Sequence, residues 1–312
     1  MLVGAVSLVT ALSWLAALHW TLELLVHFTF YFFLASAGLA LAALGLRIFR
    51  VAALSALIAI VSFMAIWPHM RLPASDLRPR ETDIVVRVLW ANLHNWATDV
   101  DALKRLIETE RPDAVVLTEL AATHEATLAA LRGQLPFQTP VPNGNALGMM
   151  MLAKKPPVSL RFDLAAGDKA PLLVARICPD NTGCLTIVSL HASRPFPYRD
   201  GARDRQLANA AEVARRHVDA GEHVMLLGDL NVTPFSPVFT QLLARSGVVD
   251  SASMLAEQAR ASTSTWWLGN TGIGLPIDHA LVSPTVRLTS RRLGPAIRSD
   301  HLPLILDVRV AP

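Results

Sequence analysis

The sequence predicts an α/β domain over residues 83–312, made of two packed β-sheets flanked by helices, after an N-terminal transmembrane helical region. Three observations predict this. Strand-like apolar runs alternate with amphipathic stretches throughout residues 84–310. Some strands follow helices and others come as hairpins, which indicates mixed sheets and a four-layer α/β sandwich. Residues 1–67, by contrast, are almost continuously apolar.

The N-terminal region contains three apolar runs, at residues 2–18, 28–46 and 51–67. A helix that spans a bilayer needs about 17–25 apolar residues, so each run is predicted to be one transmembrane helix. A cleaved signal peptide is the alternative for the first run, but that run lacks a basic start and a cleavage site followed by soluble sequence. A soluble helical bundle is disfavoured because almost no polar face interrupts the runs.

The charges around these runs predict an orientation. Arg47 and Arg50 lie between the second and third runs, and positive turns favour the cytoplasm. We therefore expect a multi-pass protein of the cell inner membrane with a periplasmic C-terminal domain. Arg71, Arg78 and Arg80 argue the other way, although long domains cross largely regardless of charge.

The linker and the net charge of the C-terminal domain indicate how the domain is attached and which partners it can bind. Residues 68–82 are rich in Pro and Arg, and we predict a linker there. The net charge of +3 belongs to the first 80 residues, because residues 81–312 carry 23 basic and 23 acidic side chains. A neutral domain lacks the basic footprint of a tight nucleic-acid binder, although a local basic groove is compatible with it.

The two cysteines flank a turn. Cys178 and Cys184 enclose Pro-Asp-Asn-Thr-Gly between two strand-like runs, which predicts a hairpin. Cysteines facing each other across a hairpin can form a disulfide, and this would fit an oxidising compartment. Two unrelated small apolar residues are an equally weighted alternative.

The elements of the C-terminal domain follow from periodicity, glycine stops and turn residues. Strands are predicted at residues 84–92, 113–120, 148–155, 172–178, 185–191, 223–229, 277–283, 286–294 and 302–310. Helices are predicted at residues 98–113, with Thr98 as the N-cap, and at 124–134, 198–221 and 236–247.

Polar side chains recur at the ends of these apolar strands. Singly, an Asp there is commonly a turn residue or cap, and a His is more often structural. Glu119 is harder to dismiss, because it lies among apolar neighbours and burying an unpaired carboxylate is costly. Rigid scaffolds present catalytic groups at strand ends, so the set predicts one site. Its members are Asn92, Glu119, His191, Asp229, Asn231, Asp278, Asp300 and His301.

The residue types predict hydrolysis of a phosphate ester. Carboxylates and amides, without Cys or His pairs at metal spacing, favour Mg²⁺, with Mn²⁺ as the alternative, over Zn²⁺. Two histidines with carboxylates can transfer protons and stabilise charge. The sequence contains no glycine-rich phosphate loop, G-x-S-x-G elbow or H-E-x-x-H motif, so the mechanisms built on them lack support.

The order of motifs resembles the endonuclease/exonuclease/phosphatase superfamily, which has the DNase-like fold. The similarity covers nearly all of residues 84–310, and GDLN, IDH and SDH in this order form a specific combination. The matching segments are WANLHN, DAVVLTEL, GMMMLAKK, TIVSLHAS, GDLNVTP, TSTWWLGNTGIGLPIDHALVS and SDHLPLILDV. The resemblance implies a Mg²⁺-dependent phosphohydrolase built on two packed sheets.

The resemblance also implies a metal site. Glu119 would bind the ion. Asn92 and Asp300 would lie close by, either as further ligands or as residues that hydrogen-bond to the ligands. Residues Asn95 and Thr265 would be neighbours of the site.

The catalytic roles implied by the resemblance fall on five residues. His301 would contact the scissile phosphate or act as general base, and Asp278 would hold its ring. Asp229 would position or deprotonate the attacking water. Asn231 would donate a hydrogen bond to a phosphate oxygen, and His191 would stabilise charge in the transition state. The sequence leaves the general base open between Asp229 and His301.

The predicted function is therefore a membrane-anchored, Mg²⁺-dependent phosphohydrolase. Its substrate would be a phosphodiester or phosphomonoester in a nucleic acid, a phospholipid headgroup or a sugar phosphate, and its other partner the lipid bilayer. Arg194, Arg199, Arg203 and Arg205 would line a basic groove for nucleic acid or form a solvated helix face. The alternative is a non-catalytic, membrane-anchored binding domain that retains the fold.

Overall fold

The structure is a computed structural model of the 312-residue chain. It describes residues 2–70, 80, 82–95, 97–121, 124–140, 148–164, 170–180, 182–195, 201–253 and 264–312. The chain divides into two compact units. The helical unit consists of the N-terminal helices with Val232–Gln241, and the sandwich unit holds the rest, Pro73–Asn231 and Leu242–Pro312.

The helical unit contains four N-terminal helices: α1 (Leu2–Ser13), α2 (Trp20–Val26), α3 (Thr29–Gly45) and α4 (Phe49–Met70). Within the described residues, α4 is long and apolar enough to cross a membrane by itself. Helices α2 and α3 pass the same test only as one segment bent by 57°. Helix α1 has 12 residues, fewer than a bilayer requires. The three predicted spans therefore stay a prediction.

The helical unit has apolar side chains on its outside and small polar ones inside. Leu41 is 72% exposed and Met64 is 66% exposed, whereas Ser36, Ser55 and Ser62 are buried. Small residues at helix contacts and apolar residues outside are typical of helices that pack in lipid.

The sandwich unit contains two six-stranded sheets and one two-stranded ribbon. The first sheet is made of β1 (Ile84–Asn92), β2 (Ala114–Thr118), β3 (Phe137–Gln138), β4 (Met149–Ala153), β13 (Arg287–Leu293) and β14 (Leu304–Val310). The second is made of β5 (Ser159–Leu164), β6 (Pro171–Ile177), β7 (Leu185–Leu190), β8 (Val224–Asp229), β9 (Val249–Asp250) and β12 (Asp278–Val282). The ribbon is β10 (Trp266–Trp267) with β11 (Gly274–Leu275). The strand orders are β13-β14-β1-β2-β4-β3 and β5-β6-β7-β8-β12-β9.

Strand β1 shows how the layers form. Its Val88 and Trp90 point into a core that the two sheets share, together with Ile187 of the second sheet. The intervening Leu89 points to the other face and packs with Leu103 of a helix, because successive strand side chains alternate between faces. The helices after β1 are α5 (Val100–Glu110), α6 (Glu125–Ala129), α7 (Ala202–Asp219) and α8 (Pro237–Ser246). The predicted α/β sandwich is confirmed.

Two local predictions need correction. The N-cap of α5 is Asp99, whose side chain accepts from the Ala102 amide, whereas the Thr98 hydroxyl donates to the Leu93 carbonyl. The predicted helix at 124–134 is a short α6 followed by the 3₁₀ turn Ala130–Gly133.

Cys178 and Cys184 form a disulfide. Strands β6 and β7 pair antiparallel with Ile177 opposite Leu185, so the next residues outward are the two cysteines. The hairpin register therefore brings the two thiols together.

The strand pairing also gathers the strand ends. Strands β1 and β2 run parallel with Asn92 beside Thr118, so Glu119 follows directly. Strands β7 and β8 are also parallel, and β8 pairs antiparallel with β12 so that Asp229 lies opposite Asp278. The carboxyl ends of four strands and the start of β12 thus carry six of the eight predicted polar residues, and Asp300 and His301 lie in the loop before β14.

Candidate active site

Asn92 joins polar residues from both sheets. It ends β1, and its Nδ2 atom donates to Glu119 Oε1 at 3.2 Å and to Asp229 Oδ2 at 3.3 Å. All three side chains are buried, at 1%, 5% and 2% exposure. Residues separated by 137 positions therefore meet in one cluster.

His191 faces the same two carboxylates. Its Nε2 atom lies 3.5 Å from Glu119 Oε1 and 3.5 Å from Asp229 Oδ2. It follows β7, the parallel neighbour of β8, which explains its position beside Asp229. This places an imidazole between two acidic groups.

His301 and Asp278 form a buried pair. The Nδ1 atom of His301 lies 2.8 Å from Asp278 Oδ2, and its Nε2 atom lies 3.7 Å from Asp229 Oδ2. The Asp278 amide donates to Thr265 Oγ1 at 3.0 Å, which ties the start of β12 to the residue just before β10 of the ribbon. The carboxylate fixes the ring so that Nε2 faces the cluster.

Asp300 lies at the rim, with its side chain 25% exposed. Its Oδ1 atom is 2.8 Å from His94 Nδ1, and its Oδ2 atom accepts from Trp266 Nε1 at 2.9 Å. It lies 3.9 Å from His301 Nε2, farther out than the buried residues. Asn95, predicted as a neighbour, donates to Glu119 Oε2 at 3.2 Å.

Sequence reasoning missed His94 and Trp266. Both lie inside segments that carried the family resemblance, WANLHN and TSTWWLGN, so position within a motif was the available signal. It also misread Arg203, which is 4% exposed and donates from Nη1 to the Asn231 carbonyl at 3.3 Å. Arg203 is therefore no solvated helix residue. Arg194 and Arg205 are exposed, and Arg199 lies outside the described residues.

The backbone around GDLN is tightly constrained. Gly228 has φ of +154°, and a Cβ there would lie 1.9 Å from the Leu190 carbonyl oxygen. Only glycine allows β8 to approach β7 so closely. Asn231 has φ of +50°, its amide donates to Asp229 Oδ1 at 2.9 Å, and its Nδ2 atom donates to the Ala192 carbonyl at 2.8 Å. The turn therefore holds the Asp229 side chain in place. One of the two Nδ2 hydrogens of Asn231 is used in the bond to Ala192, and the second can donate to a ligand.

Glu119 is also held in an uncommon backbone conformation, with φ of +53°. A non-glycine residue with positive φ costs energy and persists where its surroundings determine it. Two hydrogen bonds hold the backbone in this conformation: the Leu93 amide donates to the Thr118 carbonyl, and the Asn95 amide donates to the Glu119 carbonyl.

Burial and like charge shift the proton affinities of the site. Burial raises the pKa of Asp229 well above its usual range, and the Asp278 carboxylate adds to that rise. Burial alone would lower the pKa of His301, but the carboxylates of Asp278, Asp229 and Asp300 outweigh it and raise the pKa to about 9. The surrounding carboxylates therefore favour the protonated form of His301 in the metal-free protein.

The donor set fits a hard divalent cation. Asp229, Asp278 and His301 each offer one ligand atom, and these atoms lie within 4.8 Å of one another. The carboxylate of Glu119 and the amide of Asn92 lie beside them. Oxygen donors predominate, as Mg²⁺ and Mn²⁺ require.

This group differs from the predicted ligands Asn92, Glu119 and Asp300. Both Asp278 oxygens lie within 3.0 Å of His301 Nδ1, so that carboxylate is engaged in orienting the imidazole. The Glu119 carboxylate accepts from the side-chain amides of Asn92 and Asn95, and His191 Nε2 lies 3.5 Å from its Oε1 atom. The geometry is therefore compatible with Glu119 as a ligand, and the ligand assignment stays a prediction.

The comparisons with known proteins agree with this geometry. The model of the Endonuclease/Exonuclease/phosphatase family matches residues 89–301. The chain belongs to this family. Members of the family are metal-dependent phosphodiesterases and nucleases. No curated protein matches the sequence.

Solved structures share the fold of the family. TDP2 from D. rerio, complexed with single strand DNA product, has a TM-score of 0.60 and 15% identity, over 72% of this chain and 99% of that chain. NExo, a 3'-5' exonuclease from Neisseria meningitidis, has a TM-score of 0.57 and 19% identity, over 71% and 98%. An endonuclease/exonuclease/phosphatase from Beutenbergia cavernae has a TM-score of 0.57 and 18% identity, over 73% and 72%. At these identities the likeness concerns the fold.

Proposed function

We propose that this chain is a membrane-anchored, Mg²⁺-dependent hydrolase of phosphate esters, with Mn²⁺ as the alternative ion. One observation carries the proposal. Asn92, Glu119, His191, Asp229 and His301, spread over 210 positions of the chain, converge in one buried cluster. A domain that only bound a partner would have no use for so many buried titratable groups, because burying them is costly.

In this proposal Glu119 holds the ion, with Asn92 and Asp300 beside it. A bound divalent cation supplies Lewis-acid stabilisation of the charge on a phosphate oxygen. The buried carboxylates supply negative charge that would retain it. Burial raises the pKa of Asp229, and repulsion from the Asp278 and Glu119 carboxylates adds to that rise.

The protons follow from the electrostatics. His301 is protonated and faces the cluster through Nε2, so it donates a hydrogen bond to the phosphate. Asp229, which lies 3.7 Å from His301 Nε2, would take the proton of the attacking water in its ionised form, which a bound cation would favour. His191 stabilises charge in the transition state, and the second Nδ2 hydrogen of Asn231 donates to a phosphate oxygen.

Two substrate classes compete within this chemistry. A small or lipid-borne phosphate ester is favoured by the neutral charge of residues 81–312 and by an anchor that would keep the enzyme at a bilayer. A nucleic acid is favoured by the exposed Arg194 and Arg205, by the single strand DNA product bound to one solved structure of like fold, and by the exonuclease name of another. Hydrolysis rates on DNA, RNA, inositol phosphates and phospholipid vesicles distinguish the two.

The anchor and its orientation rest on the helical unit. Helices α3 and α4 pack together, and the turn with Arg47 and Arg50 joins them at one end. The Val232–Gln241 segment contacts the other end, where the ring of Phe235 lies 5.6 Å from that of His69. With the arginine turn in the cytoplasm, the sandwich unit would be periplasmic, which suits the Cys178–Cys184 disulfide.

The activity is tested on the full chain in detergent with bis(p-nitrophenyl) phosphate and Mg²⁺. We expect turnover in the parent that chelation abolishes, and a loss of about 10³-fold in Glu119→Ala and His301→Ala. Glu108→Ala, on the exposed face of α5, is the matched control. Equal rates in all four proteins would defeat the enzymatic proposal and favour the binding domain. A reporter fused after Pro312 that is active only when exported tests the orientation, and a cytoplasmic signal would reverse it.

A further inference from the structure

The Val232–Gln241 segment directly follows the GDLN motif, yet it belongs to the helical unit. Four polar side chains of this unit are almost completely buried where the segment meets α2. They are Glu23, His27, Thr233 and Ser236, with exposures of 3%, 6%, 0% and 0%. We call this set the α2 clamp.

The contacts of the α2 clamp run from the helix to the segment. The Ser236 hydroxyl donates to Glu23 Oε1 at 2.6 Å. The Thr233 hydroxyl lies 2.9 Å from His27 Nδ1, and the Thr233 amide also donates to that atom at 3.4 Å. His27 Nε2 lies 3.3 Å from Glu23 Oε1. Since Nδ1 accepts from a backbone amide, a neutral ring carries its hydrogen on Nε2, the nitrogen within ion-pair distance of the carboxylate.

Two residues of the α2 clamp also lie at the ends of α2, since Glu23 is in its first turn and His27 is its C-cap. The helix has seven residues, and its N-cap is His19, whose side chain accepts from the Thr21 amide. A buried carboxylate costs several kcal/mol unless it is paired and hydrogen-bonded. Glu23 is the one acidic residue in the first 70 positions, and it is placed where it binds a residue 213 positions away.

The clamped segment begins one peptide bond after Asn231. Asn231 is held with φ of +50° and bonds Asp229 through its amide, while buried Arg203 holds its carbonyl. Thr233 lies two residues on, so a shift of Thr233 must change the backbone at Val232 and Asn231. Displacements of about 1 Å at reacting groups cost about 10²-fold in rate.

We propose that Glu23 and His27 are positioning residues for the reaction, acting through Thr233 and Ser236 on the GDLN turn. The N-terminal helices would then complete the support of the active site as well as anchor the chain. This inference rests on the proposed phosphohydrolase function.

The test compares kcat and KM of full-length variants in detergent with bis(p-nitrophenyl) phosphate. We expect Glu23→Ala and His27→Ala to lower kcat about tenfold with KM within about twofold of the parent, because the loss falls on geometry rather than binding. Glu23→Gln keeps an oxygen that accepts from Ser236, and we expect it to retain most of kcat. Ser236→Ala should lower kcat similarly, and Glu23→Ala/Ser236→Ala should be no worse than Glu23→Ala alone.

His19→Asn is the matched control, because it changes an exposed histidine of the same helix and keeps a capping oxygen. Parent-like kcat in Glu23→Ala and His27→Ala, even with a lower melting temperature, would overturn the inference. An equal loss in His19→Asn would also overturn it.

Hydrogen exchange separates this inference from the proposed function. The amides of residues 229–233 should exchange faster in Glu23→Gln/Ser236→Ala than in the parent, whether or not the parent hydrolyses a phosphate ester. An inert parent with this exchange difference would defeat the proposed function alone. Unchanged exchange together with unchanged kcat would defeat the α2 clamp alone.

Discussion

The Nδ1 atom of His301 lies 2.8 Å from Asp278 Oδ2, although His301 precedes β14 of the first sheet and Asp278 opens β12 of the second. The pair is buried, and the imidazolium is surrounded by three carboxylates. The pairing explains why a histidine with little solvent around it keeps its proton, because the nearby negative charges favour the charged ring.

Replacing Asp278 by Asn should lower the pKa of His301 from about 9, because the largest favourable charge is removed. We also expect kcat to fall about 10–100-fold, since the amide no longer fixes the ring. NMR titration of the metal-free protein checks the first effect and steady-state kinetics the second. A His301 titration unchanged from that of the parent would contradict the pairing.

Replacing Gly228 by Ala should destabilise the fold by about 3 kcal/mol, since a Cβ would meet the Leu190 carbonyl oxygen and β8 would have to move. Gly133→Ala is the control, because a Cβ there meets nothing within 4 Å. Denaturant unfolding of both variants measures the difference. Equal stability of the two would show that β7 and β8 can separate freely.

Replacing Trp266 by Phe should lower kcat/KM about tenfold, because the Nε1 hydrogen bond that holds Asp300 Oδ2 is lost. The backbone amide of the neighbouring Trp267 donates to the Asp300 carbonyl. Trp267→Phe keeps that bond and should retain parent activity. The same loss in both would assign the effect to packing of the ribbon.

Glu110 should make stability depend on acid pH. Hydrogen bonding from Arg292 lowers the pKa of Glu110, and Arg87 adds to the effect. A carboxyl whose pKa is lowered by folding stabilises the protein above its unfolded pKa of about 4.3, and this contribution is lost as pH falls through the folded value. Glu110→Gln should therefore cost about 1 kcal/mol at pH 7, since both arginines are about one-third exposed and water screens the charges.

The measurement for Glu110 is denaturant unfolding of the parent and Glu110→Gln between pH 3 and pH 7. The difference between them should shrink below about pH 4. A difference that stays constant with pH would mean that the carboxylate charge contributes nothing to the fold.

The sandwich was predictable because its signals are local. Strand β1 occupies the predicted residues 84–92, since a continuous apolar run bounded by turns has one periodicity to follow. The site was predictable for a related reason, since polar residues at apolar strand ends stand out in sequence.

Tertiary partners were not predictable. Arg203 is a charged residue on a helix, which by itself predicts exposure to solvent. Nothing in its local sequence indicates that its side chain donates to the Asn231 carbonyl. Glu23 and His27 bind Ser236 and Thr233 of the Val232–Gln241 segment, more than 200 positions later in the chain. Such contacts join residues that are far apart in the sequence, so the hydrophobic periodicity of either segment does not indicate them.

The membership of Val232–Gln241 in the helical unit has a practical result for preparing this protein. A truncated chain that starts at residue 83 would lose Glu23 and His27, and it would leave Thr233 and Ser236 without the acceptors that now cover them. Water would then enter beside the loop that carries Asp229. Biochemists who remove the helices to gain solubility should expect a shorter chain whose folding and turnover no longer represent those of the intact protein.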